Sequence, residues 1–151
     1  MRGTALRAAL VLLWMGAAVA QPAPSDDDSR LALSLTPAER TYVLGQMRLF
    51  VESIQAIATG LADGQRARAV EVAAARGLKR NAADPAFPST LGAKLPADWK
   101  QLGGALRRGF DGLAQGMAEG EGPQQSLARL GDVMKNCVAC HATYRIVAER
   151  D

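Results

Sequence analysis

The sequence of 151 residues has few of the residue types that mark several functional classes. Aromatic residues make up 5%, and there are two cysteines and one histidine. β-branched residues are sparse beside Ala, Gly and Leu, so packed helices are favoured over extended sheet. Basic residues exceed acidic ones only slightly, with 18 Lys and Arg against 15 Asp and Glu. Because nucleic-acid binding needs clustered Lys and Arg in clear excess, this balance excludes nucleic acid as a partner.

The first twenty residues have the pattern of an export signal. Arg2 and Arg7 precede an uncharged run that closes with the small-x-small motif of a signal-peptidase site. The run is shorter than the roughly 18 apolar residues that span a bilayer. We therefore predict a signal peptide over 1–20 that is cleaved, and a soluble periplasmic chain with no membrane insertion. An uncleaved anchor helix is the alternative. Without the signal, 16 basic residues face 15 acidic ones, a net charge of +1.

The rest of the chain divides into two regions. Residues 21–35 are polar and contain prolines and three consecutive aspartates, a composition that favours a flexible linker. Residues 36–151 are enough for one compact domain with a single hydrophobic core.

The predicted domain begins with the clearest helix start in the chain. Thr36 supplies a hydroxyl cap, Pro37 occupies the first helical position, and Glu39 stands three residues after the cap. This reciprocal arrangement is a capping box. Apolar residues then recur at three- and four-residue spacing and predict one long amphipathic helix. The apolar stripe consists of Val43, Leu44, Met47, Phe50, Val51, Ile54, Ile57, Ala58 and Leu61.

Three more helices follow from the same periodicity. Prolines and a glycine interrupt residues 80–96, which predicts a long connection between the second helix and the third. The other connections are short, so neighbouring helices are expected to be antiparallel. The predicted fold is therefore all-α, an antiparallel four-helix bundle. The three spans are Gln65 to about Leu78, with a buried face of Ala67, Val70, Ala74 and Gly77, then about Trp99 to Met117, and Pro123 to the C-terminus.

Both cysteines and the only histidine fall within five residues of the fourth helix. Cys137, Cys140 and His141 form the pattern C-x-x-C-H, the signature of covalent haem attachment. Thiols three residues apart on a helix face the same way, so both can add to the two vinyl groups of one haem. The adjacent imidazole then reaches the iron. The sequence therefore predicts one haem c, bound covalently through Cys137 and Cys140.

Other uses of the motif fit the sequence less well. A redox dithiol usually lies at a helix N-terminus, where the helix dipole lowers the thiol pKa, whereas this motif lies deep in a predicted helix. A structural zinc site needs four ligands, and the motif supplies three at most. A disulfide between residues three apart in a helix would strain the bond and the backbone. Among enzymes, the alternative to a haem protein is a dithiol oxidoreductase. No motif marks a substrate pocket, so no enzymatic turnover is expected.

An all-helical exported chain with this motif near its C-terminus, continued by Ala142-Thr143-Tyr144-Arg145, resembles the class II cytochromes c, the cytochrome c′ family. The motif is specific, and the helical pattern, which extends the resemblance over the mature chain, is much less so. The resemblance implies haem bound between antiparallel helices near one end of a bundle. It also implies that His141 is the proximal ligand and that Arg145 lies beside it.

The family contains two kinds of protein. Five-coordinate members keep an apolar residue over the open iron face and bind small gases such as nitric oxide. Low-spin members place a first-helix methionine on the iron and transfer electrons. In this chain His141 is the only histidine, which excludes a second histidine ligand. Met47 lies about 15 Å into the first helix, the depth that His141 has from the C-terminus. Met47 is therefore the predicted distal ligand, or alternatively a lid that covers the iron without bonding to it.

The predicted function is that of a single-electron carrier, because a thioether ligand stabilises reduced iron and suits a carrier. The alternative is a five-coordinate protein that binds nitric oxide or other small gases. The expected partners are redox proteins of the periplasm. The resemblance also makes a homodimer through the first two helices plausible.

Overall fold

The structure is a computed structural model that describes residues 28–81 and 84–149. The predicted signal peptide, 1–20, and most of the predicted linker lie outside the described residues. The described part is mostly helical, which confirms the all-α fold class. It contains β1 (Leu31–Leu35), α1 (Pro37–Ala62), α2 (Arg66–Arg76), α3 (Leu78–Asn81), α4 (Leu91–Lys94), α5 (Ala97–Ala118), α6 (Pro123–Thr143) and β2 (Tyr144–Ala148).

The capping box predicted at the start of α1 is present. The Thr36 hydroxyl accepts a hydrogen bond from the Glu39 backbone N–H at 3.3 Å, and the Glu39 carboxylate accepts one from the Thr36 N–H at 2.9 Å. Two of the N–H groups that a helix start leaves unpaired are thereby satisfied. The predicted helix start at Pro37 is confirmed.

The Glu39 carboxylate also joins α1 to α4 and to the end of β2. It is buried, and it accepts hydrogen bonds from the Thr90 hydroxyl at 2.7 Å and the Lys94 ammonium at 2.9 Å. Lys94 in turn pairs with Glu149, just after β2, at 2.9 Å. The hydrogen bonds from Thr90, Lys94 and Thr36 lower the pKa of Glu39 from 4.5 to about 2. The charged Glu39 carboxylate therefore stabilises the contacts between α1, α4 and the end of β2.

Glu39→Gln should lower the melting temperature by several degrees at pH 7 and by less in acid. A carboxyl group with a lowered pKa contributes stability above its unfolded pKa of 4.5, and that contribution is lost as the pH falls toward about 2. Thermal unfolding of both proteins at several pH values measures the difference. Glu52→Gln, on the exposed side of α1, is the control and should leave the melting temperature unchanged. A deficit of equal size throughout this pH range would assign the effect to packing instead of charge.

The four long helices pack mainly on their neighbours in the chain. α1 packs on α2, α2 on α5 and α5 on α6, whereas α6 touches α1 only lightly. Small residues permit the close approach of α2, where Ala69 and Ala73 are fully buried. A Cβ on Gly60 of α1 would lie 3.4 Å from the Ala69 Cβ. Ala67, predicted to be buried, is exposed, because it lies two residues from Ala69 and hence about 200° around the helix.

The buried apolar residues form two separate clusters. The larger, which we call the main cluster, draws on all four long helices, and the smaller, the terminal cluster, lies where α1 and α5 begin. The main cluster contains Phe50, Ile57, Leu61, Ala69, Ala73, Leu106, Phe110, Leu113, Ala114, Met117, Leu130 and Val133, with Ile54, Val70, Val72, Ala74 and Cys137 packed against it. The terminal cluster contains Leu35, Val43 and Leu91, with Tyr42, Met47, Leu95, Trp99 and Ile146 packed against it.

The last long helix ends earlier than its periodicity predicts. α6 stops at Thr143, and the residues that follow form β2, which pairs in parallel with β1. The prediction of a helix to the C-terminus was wrong, because this segment is rich in aromatic and β-branched residues that favour a strand. The last five residues of the predicted linker form β1, in which Leu33 and Leu35 alternate with exposed residues and are buried.

Candidate functional site

The two cysteines of the motif lie on the inner stripe of α6. Leu130 and Val133 are buried on this side of the helix, and Cys137 and Cys140 continue the stripe and are half-buried. Both thiols are free. His141, the next residue, is exposed. The last two turns of α6 therefore direct two thiols inward and leave the imidazole accessible.

The surroundings of both thiols disfavour the thiolate form. Burial raises the pKa of Cys137 and of Cys140, and the charge of Cys137 raises that of Cys140 further. The C-terminal end of a helix also carries a partial negative charge, which opposes a thiolate. A dithiol oxidoreductase needs the opposite, a thiol with a lowered pKa. The surroundings of Cys137 and Cys140 are therefore unlike those of a redox-active dithiol.

The motif lies at the junction between the two clusters. Cys137 packs against the main cluster, and Ile146, on β2, packs against the terminal cluster. Cys140 and His141 stand between these two residues in the chain. Along the chain, the boundary between the clusters therefore falls between Cys137 and Ile146, and we call this boundary, as it crosses each element, the junction.

The same junction crosses α1 and α5. On α1 it falls between Met47 and Phe50, and on α5 between Trp99 and Leu106. Gly103 lies on this face of α5, four residues after Trp99 and three before Leu106, and a Cβ on it would meet no atom within 4 Å. The missing side chain leaves open space at the junction.

Met47, the predicted distal ligand, is half-buried against the terminal cluster. The Trp99 ring in this cluster contacts the Tyr144 ring, with 5.3 Å between the ring centroids. Ile146 packs against the same cluster. Because these two residues of β2 closely follow His141, the terminal cluster joins the Met47 region of α1 to the end of α6.

The helix that carries His141 is shorter than predicted. His141 lies two residues from the end of α6, and not about 15 Å inside a helix. However, β2 extends the chain by five residues at about 3.3 Å each, roughly 16 Å, and its partner β1 leads into the start of α1. That Met47, about 15 Å into α1, lies on the level of His141 stays a prediction.

Apolar side chains are exposed on the flanks of α1 and α6 beside these residues. Val51 is 66% exposed, Val138 is 69% exposed and Met134 is 40% exposed. Val51 follows Met47 by one turn of α1, and Val138 precedes His141 by nearly one turn of α6. These side chains leave apolar surface exposed on α1 and on α6.

Arg145 lies near the His141 turn but on β2. Its guanidinium donates to the Arg30 carbonyl at 3.4 Å and lies 3.9 Å from the Asp28 carboxylate. Arg30 in turn donates to the His141 carbonyl at 3.2 Å. Since the backbone is extended after Thr143, Arg145 does not follow His141 by one helical turn. Its placement beside the imidazole stays a prediction.

Among the residues that the structure describes, no group of three or more His, Cys, Asp or Glu side chains is arranged to hold a metal ion. No helix in that part of the chain is both long and apolar enough to cross a membrane. No protein-family model, curated protein or solved structure matches the chain.

Proposed function

We propose that the chain is a periplasmic c-type cytochrome of the class II kind, with one haem c attached through Cys137 and Cys140. The observation that carries the proposal is the position of the motif, whose two free thiols line the inner side of α6 where the clusters separate. The open space beside Gly103 lies at the same junction. The residues fit the group, with thiols for the vinyl carbons, an imidazole for the iron and apolar walls for the porphyrin.

The four long helices would then form the antiparallel four-helix bundle of that family. Their packing, in which α1 contacts α2, α2 contacts α5 and α5 contacts α6, supports this architecture, as do the short connections between α1 and α2 and between α5 and α6. The light contact between α1 and α6 supports a bundle that opens on the side of the motif.

Bound haem supplies an iron that takes up and releases one electron, and the residues of the chain decide what else happens at that iron. His141 would hold the proximal position. Met47 would hold the distal position through its thioether sulfur, which favours reduced iron and suits electron transfer. The apolar side chains around Met47 would exclude water from that face. We therefore propose a single-electron carrier that exchanges electrons with periplasmic redox proteins.

Gas binding is the second candidate function. The neighbours of Met47 in the terminal cluster, Val43 and Leu91, are apolar and buried, and a lid over an open iron face needs the same surroundings. If Met47 covers the iron without bonding to it, the protein would bind nitric oxide or another small gas. Export and a homodimer through the first two helices belong to the proposal on the basis of the family resemblance.

The protein as purified should be coloured, and its intact mass should equal that of the chain from Gln21 onward plus one haem. Acid acetone should not extract the colour, because thioether bonds resist it. An optical spectrum of the reduced protein and a mass spectrum check both statements. A colourless protein with two titratable thiols would reject the proposal and favour the dithiol alternative.

A further inference from the structure

A half-buried arginine lies where the two clusters meet. The Arg107 guanidinium, on α5, lies 5.2 Å from the ring centroid of Phe50 in the main cluster. Its charge also interacts with Tyr42, which packs against the terminal cluster. It donates to the Gln46 side chain at 3.2 Å and to the Arg76 carbonyl at 3.3 Å. These partners fix the guanidinium beside α1 and the end of α2.

The positive charge of Arg107 has no ion-pair partner among the residues that the structure describes. Asp84, whose charge acts on it, accepts hydrogen bonds from the Tyr42 hydroxyl at 2.8 Å and the Ala86 N–H at 2.9 Å. Arg76 adds a second positive charge, and burial lowers the pKa of Arg107. A guanidinium has five N–H donors, so capacity to bind an anion remains after the two hydrogen bonds above.

We infer that Arg107 binds a carboxylate within the junction, namely a propionate of the haem, and this inference rests on the proposed function. Vinyl and propionate groups occupy opposite edges of haem. With the vinyl edge fixed at Cys137 and Cys140 on α6, the propionate edge points away from that helix. Arg107, held by α1 and the end of α2, is a positively charged group on the other side that has no ion-pair partner among the described residues. An arginine and a carboxylate can form two parallel hydrogen bonds, which are strong away from water.

The test replaces Arg107 in the haem-loaded protein. Arg107→Gln should shift the propionate bending band in the resonance Raman spectrum and lower the reduction potential, because a positive charge near the iron disfavours the ferric state. Arg107→Lys keeps the charge and should restore much of the potential. Arg108→Gln, a change at the exposed neighbouring residue, is the matched control and should move neither.

A comparison with haem-free protein separates this role from a structural one. In the Cys137→Ser plus Cys140→Ser background, Arg107→Gln should lower the melting temperature by less than it does in the haem-loaded protein, because no propionate is present. Equal losses in both backgrounds, or an unchanged propionate band, would overturn the inference and leave the proposed cytochrome intact. A colourless wild type would instead overturn the proposed function.

A soluble anion is the other source of a ligand for Arg107. The haem-loaded wild type should show the same propionate band with and without inorganic phosphate. If phosphate shifts the band in the wild type but not in Arg107→Gln, Arg107 binds a soluble anion and not the haem propionate. This result would overturn the inference.

Discussion

A protein with both Cys137→Ser and Cys140→Ser is expected to lose its haem during purification. Serine forms no thioether with the vinyl groups, and the haem would then be held only by its contacts with the protein and by the iron ligands Met47 and His141, of which His141 is exposed at the end of α6. Loss of the group that fills the junction should lower the melting temperature by roughly 10 °C. The attached haem acts as a ligand at high effective concentration, and a ligand at about 100 times its Kd adds about 3 kcal/mol of stability. Absorbance, intact mass and thermal unfolding measure these effects.

Val138→Ser is the matched control, since Val138 lies between the two cysteines and is exposed. This variant introduces the same side chain on the same turn and keeps both thiols, so it should remain coloured. Cys137→Ser alone should retain one thioether and a reduced amount of haem. A double variant with as much tightly held haem as the wild type would show that the thiols are not the attachment points.

The starts of the helices could be predicted from the sequence because they depend on local chemistry. The Thr36 cap, Pro37 and Glu39 form a hydrogen-bonded unit within four residues, and the structure confirms it. Pro123 opens α6 for a similar local reason, since its missing N–H would be unpaired in the first turn anyway. Such signals need no knowledge of the rest of the fold.

The end of α6 could not be predicted, because it depends on a partner at the other end of the chain. Tyr144 and Val147 continue the helical period of α6, yet both residue types also favour strands. Pairing with β1 settles the competition, since it gives the backbone of this segment its hydrogen bonds. The alternation of Leu33 and Leu35 in β1 was the available signal, and it lies within the segment predicted as a linker.

The residues of the candidate site that form a sequence motif could be recognised from the sequence. The residues that owe their place to neighbours in the fold could not. Cys137, Cys140 and His141 are recognisable from spacing alone. Gly103 is of interest because it lies on the apolar stripe of α5 between Trp99 and Leu106 and has no side chain. In the sequence Arg107 resembles any surface charge on a helix, and only the packing of α2 on α5 and the contact with Phe50 of α1 place it at the junction.

Met47→Leu is expected to change the iron of the proposed cytochrome from low spin to high spin and to open that iron to small gases. Leucine fills the space of methionine among Val43, Leu91 and Trp99 but offers no sulfur to the iron. In the wild type, carbon monoxide would bind only to the minor state in which the sulfur has left. If that state is populated at roughly 0.1 to 10%, the variant should bind carbon monoxide roughly 10- to 1000-fold more tightly.

Optical spectra of the oxidised protein and carbon monoxide titrations of the reduced protein provide the measurement. The wild type should show the weak red absorption band of methionine-ligated ferric haem, and Met47→Leu should lack that band and have a lower reduction potential. Met134→Leu is the control, because Met134 lies on the helix of His141 and is partly exposed, so its loss should leave spin state and gas affinity unchanged. A wild type that is already high spin and takes up carbon monoxide at once would make Met47 a lid, and gas binding would then replace electron transfer as the function.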